Sequence, residues 1–204
     1  MHIGVIGAGQ LGATLAEWCA QSGHDVAIAS RHPQELLDMA GRLGDHVLAM
    51  PVEDAATYAE AVLFAPPWES AHEAIELTNG ALAGKVVIDA TNPGEATPDG
   101  RSGLETLMEW APEAHWAKAF NTLPASVLAR RRGHDPLLAE FVCTDEPVAR
   151  RTATRLIREL GFAPYYAGTA ETARLTETGG PLQMAECDVL AAKDILAHAL
   201  TAFA

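Results

Sequence analysis

A glycine fingerprint directly after the first apolar segment constrains this chain more than any other feature. The segment His2–Ile6 reads as a strand, and the next six residues fit the pattern Gly-x-Gly-x-x-Gly. In a strand–turn–helix unit the first glycine permits the tight turn, the second lets the backbone approach a pyrophosphate, and the third lets the helix pack on the strand. The dipole and N–H groups of the following helix, predicted over Leu11–Gln21, favour the phosphate charge. The sequence therefore predicts a dinucleotide site, with a glycine-rich turn that binds nothing as the alternative. The predicted cofactor residues here are Gly7, Ala8, Gly9, Gln10, Leu11 and Gly12.

The residues after the second predicted strand indicate which dinucleotide is bound. This strand covers Asp25–Ala29 and is followed by Ser30 and Arg31. An NAD enzyme usually has Asp or Glu here, which bonds the ribose 2′-hydroxyl and repels a 2′-phosphate. A hydroxyl and a permanently charged guanidinium instead suit a phosphate monoester. We therefore expect Ser30 and Arg31 to favour NADP over NAD; the alternative is that Arg31 is a solvated residue opening the next helix.

Composition excludes several classes of protein. The chain has 204 residues, of which 49% are hydrophobic and 20% charged, so a large core is available. The net charge of −13 argues against nucleic acid or anionic membranes as partners, because both require a basic face. No apolar run has the length of a membrane span, and the amino terminus lacks a signal-peptide pattern. The cysteines and histidines are dispersed and fit no metal-ligand spacing. We expect a cytoplasmic protein without a metal site that acts on a small molecule.

Apolar strands alternate with helical segments, which indicates repeated βα units and a parallel sheet. The further predicted strands are His46–Met50, Ala61–Ala65, Lys85–Ala90, His115–Phe120, Leu137–Cys143 and Phe162–Ala167. The further predicted helices are Pro33–Leu43, Trp68–Asn79, Leu104–Trp110, Glu146–Leu160 and Leu182–Phe203, and a surface loop is predicted over Glu95–Gly103. The predicted fold class is α/β, a Rossmann-like, doubly wound and mostly parallel sheet with helices on both faces and a small helical cover at the carboxyl terminus. Residues 1–204 are expected to form one domain, in which about 145–204 complete the sheet and cover the substrate site.

Three loops leave the carboxyl ends of predicted strands, which is where ligands bind to an open parallel sheet. They contain Ala65-Pro66-Pro67-Trp68, Ala90-Thr91-Asn92-Pro93 and Ala119-Phe120-Asn121-Thr122. We expect these loops to flank the nicotinamide and its reaction partner, with the two prolines as a stiff apolar wall. The amides of Asn92 and Asn121 either hold the nicotinamide carboxamide or a polar substrate group, or bond their own turns.

Few residues qualify for acid–base or nucleophilic chemistry. Asp89 lies near a strand end, His72 lies on a helix, and Lys118 comes just before the third loop. We expect His72 on a helix surface, and Lys118 either paired with an acid or reaching solvent. The sequence thus predicts no catalytic side chain, which suits a hydride transfer that needs no positioned acid. The run Arg130–Arg132 reads either as an anchor for an anionic substrate or as the carboxyl terminus of a helix.

Several segments together resemble the family of NADPH-dependent coenzyme F-420 reductases over nearly the whole chain. These segments are Gly7–Gly12, Ser30-Arg31, Pro67-Trp68-Glu69, Asn92-Pro93, Lys118-Ala119-Phe120-Asn121-Thr122 and Ala173-Arg174-Leu175. The resemblance implies a compact Rossmann domain that passes hydride between NADP(H) and coenzyme F-420, an 8-hydroxy-5-deazaflavin. It implies that the nicotinamide is surrounded by Ala65, Pro66, Pro67, Asn92, Pro93, Ala119 and Asn121. It also implies that the second ring system is covered by Trp68, Thr122, Leu123 and Met184.

Two other functions stay open at this point. The first is an NADPH-dependent reductase of a small imine or carbonyl compound, which needs a proton donor near the hydride acceptor. The second is a non-catalytic NADP(H) sensor, which needs an exposed apolar face for a partner. The helix predicted over Leu182–Phe203 offers such a face, and it fits the core or the seam of a homodimer equally well.

Overall fold

Eight strands form one sheet in the computed structural model, which describes residues 1–94 and 100–203. In chain order the strands are β1 His2–Ile6, β2 Asp25–Ala29, β3 Val47–Met50, β4 Ala61–Phe64, β5 Val86–Asp89, β6 His115–Lys118, β7 Ala139–Cys143 and β8 Ala163–Gly168. Their spatial order is β3-β2-β1-β4-β5-β6-β7-β8, and all neighbours are parallel except β6 and β7. The chain builds outward from β1 in one direction and from β4 in the other, so the strand order switches between these two strands. The predicted doubly wound, mostly parallel sheet is confirmed.

Helices cover both faces of the sheet. They are α1 Gln10–Gln21, α2 Leu37–Leu43, α3 Val52–Tyr58, α4 Ala71–Glu76, α5 Gly103–Trp110, α6 Ala125–Arg131, α7 Pro147–Glu159 and α8 Val189–Phe203. Helices α1, α2, α6 and α7 contribute to the apolar core on one face, and α3, α4, α5 and α8 to the core on the other. Because both faces are covered, the central strands read as continuous apolar runs: in β1, Ile3 and Val5 point to one core and Ile6 to the other.

The helix boundaries follow local chemistry where a cap is present. Helix α5 begins with a capping box, in which the Glu105 backbone N–H donates to Ser102 Oγ at 3.0 Å and the Ser102 N–H donates to Glu105 Oε2 at 2.7 Å. Helix α7 begins with Pro147, whose missing N–H costs nothing in a first turn. The predicted helix from Trp68 is observed as a short 3-10 turn followed by α4.

The terminal helix begins later than the sequence predicts, at Val189 and not at Leu182. The intervening segment folds back on the sheet, where the Met184 N–H donates to the Thr122 carbonyl oxygen at 2.9 Å and the Ala139 N–H donates to the Cys187 carbonyl oxygen at 2.8 Å. Met184 has a φ of 61°, which does not continue a right-handed helix. The apolar spacing over this segment therefore reflects loop packing, and the prediction of helix there is wrong.

Two further segments differ from the sequence prediction. Helix α3 was not predicted, because its seven residues give too short a pattern to separate from a loop. Of the loop predicted over Glu95–Gly103, residues 95–99 lie outside the described residues, and Gly103 already belongs to α5. None of the helices in the described ranges is long and apolar enough to cross a membrane.

Candidate active site

The glycine turn between β1 and α1 is shaped by two close backbone contacts. Gly7 has a φ of +104°, and a Cβ built there would lie 2.5 Å from the carbonyl group of Ala65. A Cβ on Gly12 would lie 1.8 Å from the Gly7 carbonyl oxygen. A Cβ on Gly9, in contrast, would meet no atom within 4 Å. The first and third glycines are thus required by the fold itself, whereas the space above Gly9 is open to a ligand.

The amino terminus of α1 points its backbone donors toward this open space. Gly9 occupies the N-cap position, so no side chain at that position accepts a hydrogen bond from the first N–H groups of α1. The first turn of α1 also has no acidic residue. The first N–H groups of a helix have no intrahelical partner, and the helix dipole adds positive potential around them. This arrangement suits a phosphate group.

A cavity of about 360 Å³ lies beside the glycine turn, between the ends of β1, β2 and β4 and the start of α4. Its polar rim comes from the turn and from the residues that follow β2, and its walls are mostly apolar. The lining residues are Ile6, Gly7, Ala8, Gly9, Ser30, Arg31, Glu35, Leu36, Met39, Val52, Pro66, Pro67, Ser70, Ala74 and Leu77. A concave apolar pocket with a few converging polar groups is the usual form of a cofactor site.

Ser30 and Arg31, which the sequence predicts to read the 2′-position of the ribose, both line this cavity. Ser30 Oγ accepts the backbone N–H of His32 at 3.1 Å, which leaves its hydroxyl proton to donate. Arg31 Nη1 donates to Glu73 Oε2 at 3.2 Å, and 55% of the Arg31 side chain is exposed. The guanidinium therefore lies at the rim of the cavity. It is paired with the Glu73 carboxylate of α4, which the sequence analysis did not predict as a site residue.

Asn92 and Asn121 bond each other across two loops and not their own turns. Asn92 Nδ2 donates to the Asn121 carbonyl oxygen at 2.6 Å, and Asn121 Nδ2 donates to Asn92 Oδ1 at 3.0 Å and to the Thr176 carbonyl oxygen at 2.9 Å. Asn121 Oδ1 and Thr122 Oγ1 are buried and have no hydrogen-bond partner within the described part of the chain. A buried polar atom without a partner is costly, so these two atoms point to a ligand that completes the site.

A buried ion cluster lies next to these loops, at the ends of β5 and β6. Lys118 Nζ donates to Asp89 Oδ2 at 2.5 Å and to the Thr91 carbonyl oxygen at 2.9 Å, and lies 3.2 Å from Glu177 Oε1. Burial alone would lower the pKa of Lys118, but the neighbouring carboxylates of Asp89 and Glu177 outweigh it and raise the pKa above its ordinary value. Of the two alternatives for Lys118, pairing with an acid is therefore the one observed.

Glu177 also connects the carboxyl-terminal segment to α5. Its carboxylate accepts the backbone N–H of Gly103 at 3.0 Å, in the first turn of that helix. The sequence gave no signal for Glu177 or for Thr176, because each lies about 55 residues or more from the group that it contacts in the loops.

The residues predicted to contact the second substrate lie in different surroundings. Thr122 and Leu123 are buried, whereas Met184 is 59% exposed and bonded through its backbone to Thr122. The Trp68 ring stacks on Trp110 with centroids 5.8 Å apart and does not line the cavity. The substrate-binding roles of these four predicted residues stay predictions.

The remaining predicted cofactor residues pack around the loops. Ala119 is fully buried, Ala65 lies against the glycine turn, and the Pro93 ring lies against Gly103. Gln10 and Leu11 form the start of α1. Their contact with a nucleotide also stays a prediction.

The other charged candidates lie on the surface of helices or at a helix end. His72 is on the exposed surface of α4 and lies edge-on to Trp110. Arg130 and Arg131 end helix α6, and Arg130 Nη2 donates to Glu186 Oε2 at 2.8 Å. Within the described residues, no group of three metal-ligating side chains is present.

The doubly wound sheet, the glycine turn and the cavity at the switch in strand order define a dinucleotide-binding domain of the Rossmann type. The comparisons with known proteins agree with this class. A family described as NADP oxidoreductase, coenzyme F420-dependent, matches residues 2–93. The chain belongs to this family of NADP oxidoreductases.

Solved structures similar to this chain extend the match beyond the first half. A hypothetical protein from Sinorhizobium meliloti is 31% identical with a TM-score of 0.78, covering 89% of this chain and 92% of the other. A putative F420-dependent NADP-reductase from an Arthrobacter species is 28% identical with a TM-score of 0.75, covering 84% of this chain and 86% of the other. Imine reductases, such as one from Streptomyces aurantiacus at 18% identity and a TM-score of 0.65, share the fold alone.

A curated relative comes from a different kind of protein. Metalloreductase STEAP3 of Rattus norvegicus is 27% identical over 179 residues, which are 86% of this chain and 35% of the relative. The chain therefore spans about a third of the length of the curated relatives that it matches.

Proposed function

We propose that this chain transfers a hydride between NADPH and a deazaflavin of the coenzyme F-420 type. The observation that carries the proposal is the open glycine turn beside a cavity rimmed by Ser30 and Arg31, because this combination suits a dinucleotide with a 2′-phosphate. The similarity over most of both chains to a putative F420-dependent NADP-reductase supports the deazaflavin as the partner. A small-molecule acceptor also agrees with the acidic surface charge.

The residues present fit the nucleotide. The N–H groups at the start of α1, above the open side of Gly9, would hold the pyrophosphate. Ser30 and Arg31 would hold the 2′-phosphate. The unpartnered Asn121 Oδ1 and Thr122 Oγ1 would bond the carboxamide of the nicotinamide. Bound NADPH supplies the hydride.

The protein contributes position rather than acid–base chemistry. Asp89, Lys118 and Glu177 are buried and bonded to one another, so they do not present a proton to a substrate. Their network fixes the loops that carry Asn92 and Asn121, because Thr91 and Thr176 belong to the same segments. Holding two ring systems in a reactive alignment accounts for large rate enhancements without a nucleophile.

Three further expectations belong to this proposal. We infer a cytoplasmic location, no nucleic-acid or membrane partner, and a homodimer in which the exposed apolar side chains of α8, such as Leu190 and Leu200, are covered. Sedimentation of the purified protein tests the last of these directly.

The test is turnover of purified protein with NADPH and oxidised F-420 under anaerobic conditions, followed by the loss of deazaflavin absorbance. We expect turnover with NADPH and little with NADH. Arg31→Asp should lower kcat/KM for NADPH by more than about tenfold and leave the NADH rate near its starting value. Arg151→Asp, on the exposed surface of α7, is the matched charge change and should have little effect.

A ferric chelate, with and without added flavin, serves as the second acceptor in the same assay, because the curated relatives are named metalloreductases. Tight NADPH binding with ferric but not deazaflavin reduction would overturn the proposal and favour a metal-reducing role.

A further inference from the structure

The ion pair between Arg31 and Glu73 joins the two sides of the nucleotide cavity. Arg31 follows β2, whereas Glu73 lies on α4, and their side chains meet at 3.2 Å with 55% and 54% of their surfaces exposed. Ser70 and Ala74, which lie on either side of Glu73 in the sequence, line the same cavity as Arg31. The pair therefore crosses the rim at the place where the 2′-position of a bound ribose is read.

Positive charge is scarce at this rim. Among the described residues that line the cavity, the charged ones are Arg31 and Glu35. With Glu73 included, the rim carries one guanidinium and two carboxylates, and the guanidinium is paired with Glu73. A guanidinium engages a phosphate best with two parallel N–H groups, and here one end of the fork already donates to Glu73.

We propose that Glu73 weakens the preference of the site for NADPH over NADH, because its carboxylate competes with the 2′-phosphate for Arg31. The inference rests on the proposed use of NADPH and adds a residue that opposes it. NADPH must displace or repel Glu73 when it engages Arg31, whereas NADH has no 2′-phosphate and leaves the ion pair intact. Glu73 thus reduces the ratio of NADPH affinity to NADH affinity that Ser30 and Arg31 create.

The expected size of the effect follows from the exposure of the pair. Exposed ion pairs contribute little, and salt screens both the pair and the repulsion between Glu73 and the phosphate. We expect Glu73→Gln to tighten NADPH binding by about threefold to tenfold and to change NADH binding by less than about twofold. The gain should shrink at high salt.

Direct titration of each nucleotide by calorimetry tests the inference without any acceptor. Glu76→Gln is the matched control, because Glu76 lies on the same helix, is exposed, and faces His72 at 3.7 Å. A double-mutant cycle with Arg31→Gln shows whether Glu73 acts through Arg31. If it does, Glu73→Gln should change NADPH affinity much less in the Arg31→Gln background than in the native protein.

The outcomes separate this inference from the proposed function. Weaker NADPH binding in Glu73→Gln would show that Glu73 orients Arg31 for the phosphate, and unchanged binding would show that the pair is irrelevant; either result overturns the inference while the proposed function stands. If the native protein binds NADPH but does not reduce the deazaflavin, the proposed function fails and the titrations still decide the role of Glu73. Failure of the native protein to bind either nucleotide would overturn both.

Discussion

Replacing Glu140 by glutamine should remove a pH dependence of stability that this buried carboxyl creates. Glu140 lies in β7 with no exposed surface, and neither side-chain oxygen has a hydrogen-bond partner in the described part of the chain. Burial raises the pKa of Glu140 from its ordinary value of 4.5 to about 8, and the nearby backbone N–H of Phe120 offsets only part of this effect. The folded protein therefore keeps Glu140 protonated at neutral pH.

The magnitude follows from proton linkage. Below about pH 4.5 both the folded and the unfolded chain carry the proton, so Glu140 has no pH-dependent effect there. Between about 4.5 and 8 the unfolded chain releases the proton and the folded chain retains it. In the middle of this window each pH unit lowers the free energy of unfolding by about 1.4 kcal/mol. The slope is smaller close to each of the two pKa values, so the loss between pH 5 and pH 8 is about 3.5 kcal/mol. That is a large part of the roughly 5–15 kcal/mol by which a domain is stable.

Denaturant unfolding at pH 5 and pH 8 measures this term. Glutamine has nearly the same shape and does not titrate, so the stability of Glu140→Gln relative to the native protein should rise by about 3.5 kcal/mol from the lower to the higher pH. Glu113→Gln, an exposed residue in the turn before β6, should run parallel to the native protein. If Glu140→Gln also ran parallel, Glu140 would not be the buried protonated group that the structure shows.

Two further predictions concern the glycine turn and the ion cluster. Gly9→Ala should weaken NADPH binding by more than about tenfold and leave Tm nearly unchanged, because its Cβ meets no atom in the free protein but enters the approach of the pyrophosphate. Gly12→Ala, in the same turn, should lower Tm markedly because its Cβ would lie 1.8 Å from a backbone oxygen, and thermal unfolding that did not separate the two variants would contradict this account. Lys118→Met should cost about 3–5 kcal/mol in chemical denaturation, because it leaves two buried carboxylates without their cation. Lys193→Met, on the exposed side of α8, should cost almost nothing, and a similar loss in both variants would refute the role of the cluster.

The placement of the glycine turn and of the Ser30–Arg31 rim could be predicted because their signals are local in sequence. Gly7, Gly9 and Gly12 follow β1 at fixed spacing, and Ser30 and Arg31 follow the next strand directly. Each of these residues is placed by the strand that precedes it, so a short pattern is enough to position it. The alternation of strands and helices likewise predicted the sheet, since buried parallel strands read as continuous apolar runs.

Glu73 and Glu140 escaped prediction for a different reason. Glu73 looks like any charged residue on an exposed helix face, and its partner Arg31 is 42 residues away. Glu140 stands in an otherwise apolar strand, where a single acidic residue normally marks a solvent-facing position. The surroundings of Glu73 and Glu140 depend on which helices and strands pack together. Residue spacing in the sequence carries no information about that packing.

The segment before α8 shows how long-range contacts complete the other end of the site. Thr176 accepts from the Asn121 amide, Glu177 pairs with Lys118, and Met184 donates to Thr122. Three contacts thus hold this segment against the loop after β6, while the glycine turn lies at the end of β1 on the other side of the strand switch. A change in this segment reaches Asn121 without touching the glycine turn, which is the proposed site of the pyrophosphate. We therefore expect that nucleotide affinity and acceptor choice can change independently of each other. Substitutions in the segment before α8 test the covering role predicted for about 145–204. They should alter turnover of the acceptor while the affinity for NADPH stays constant.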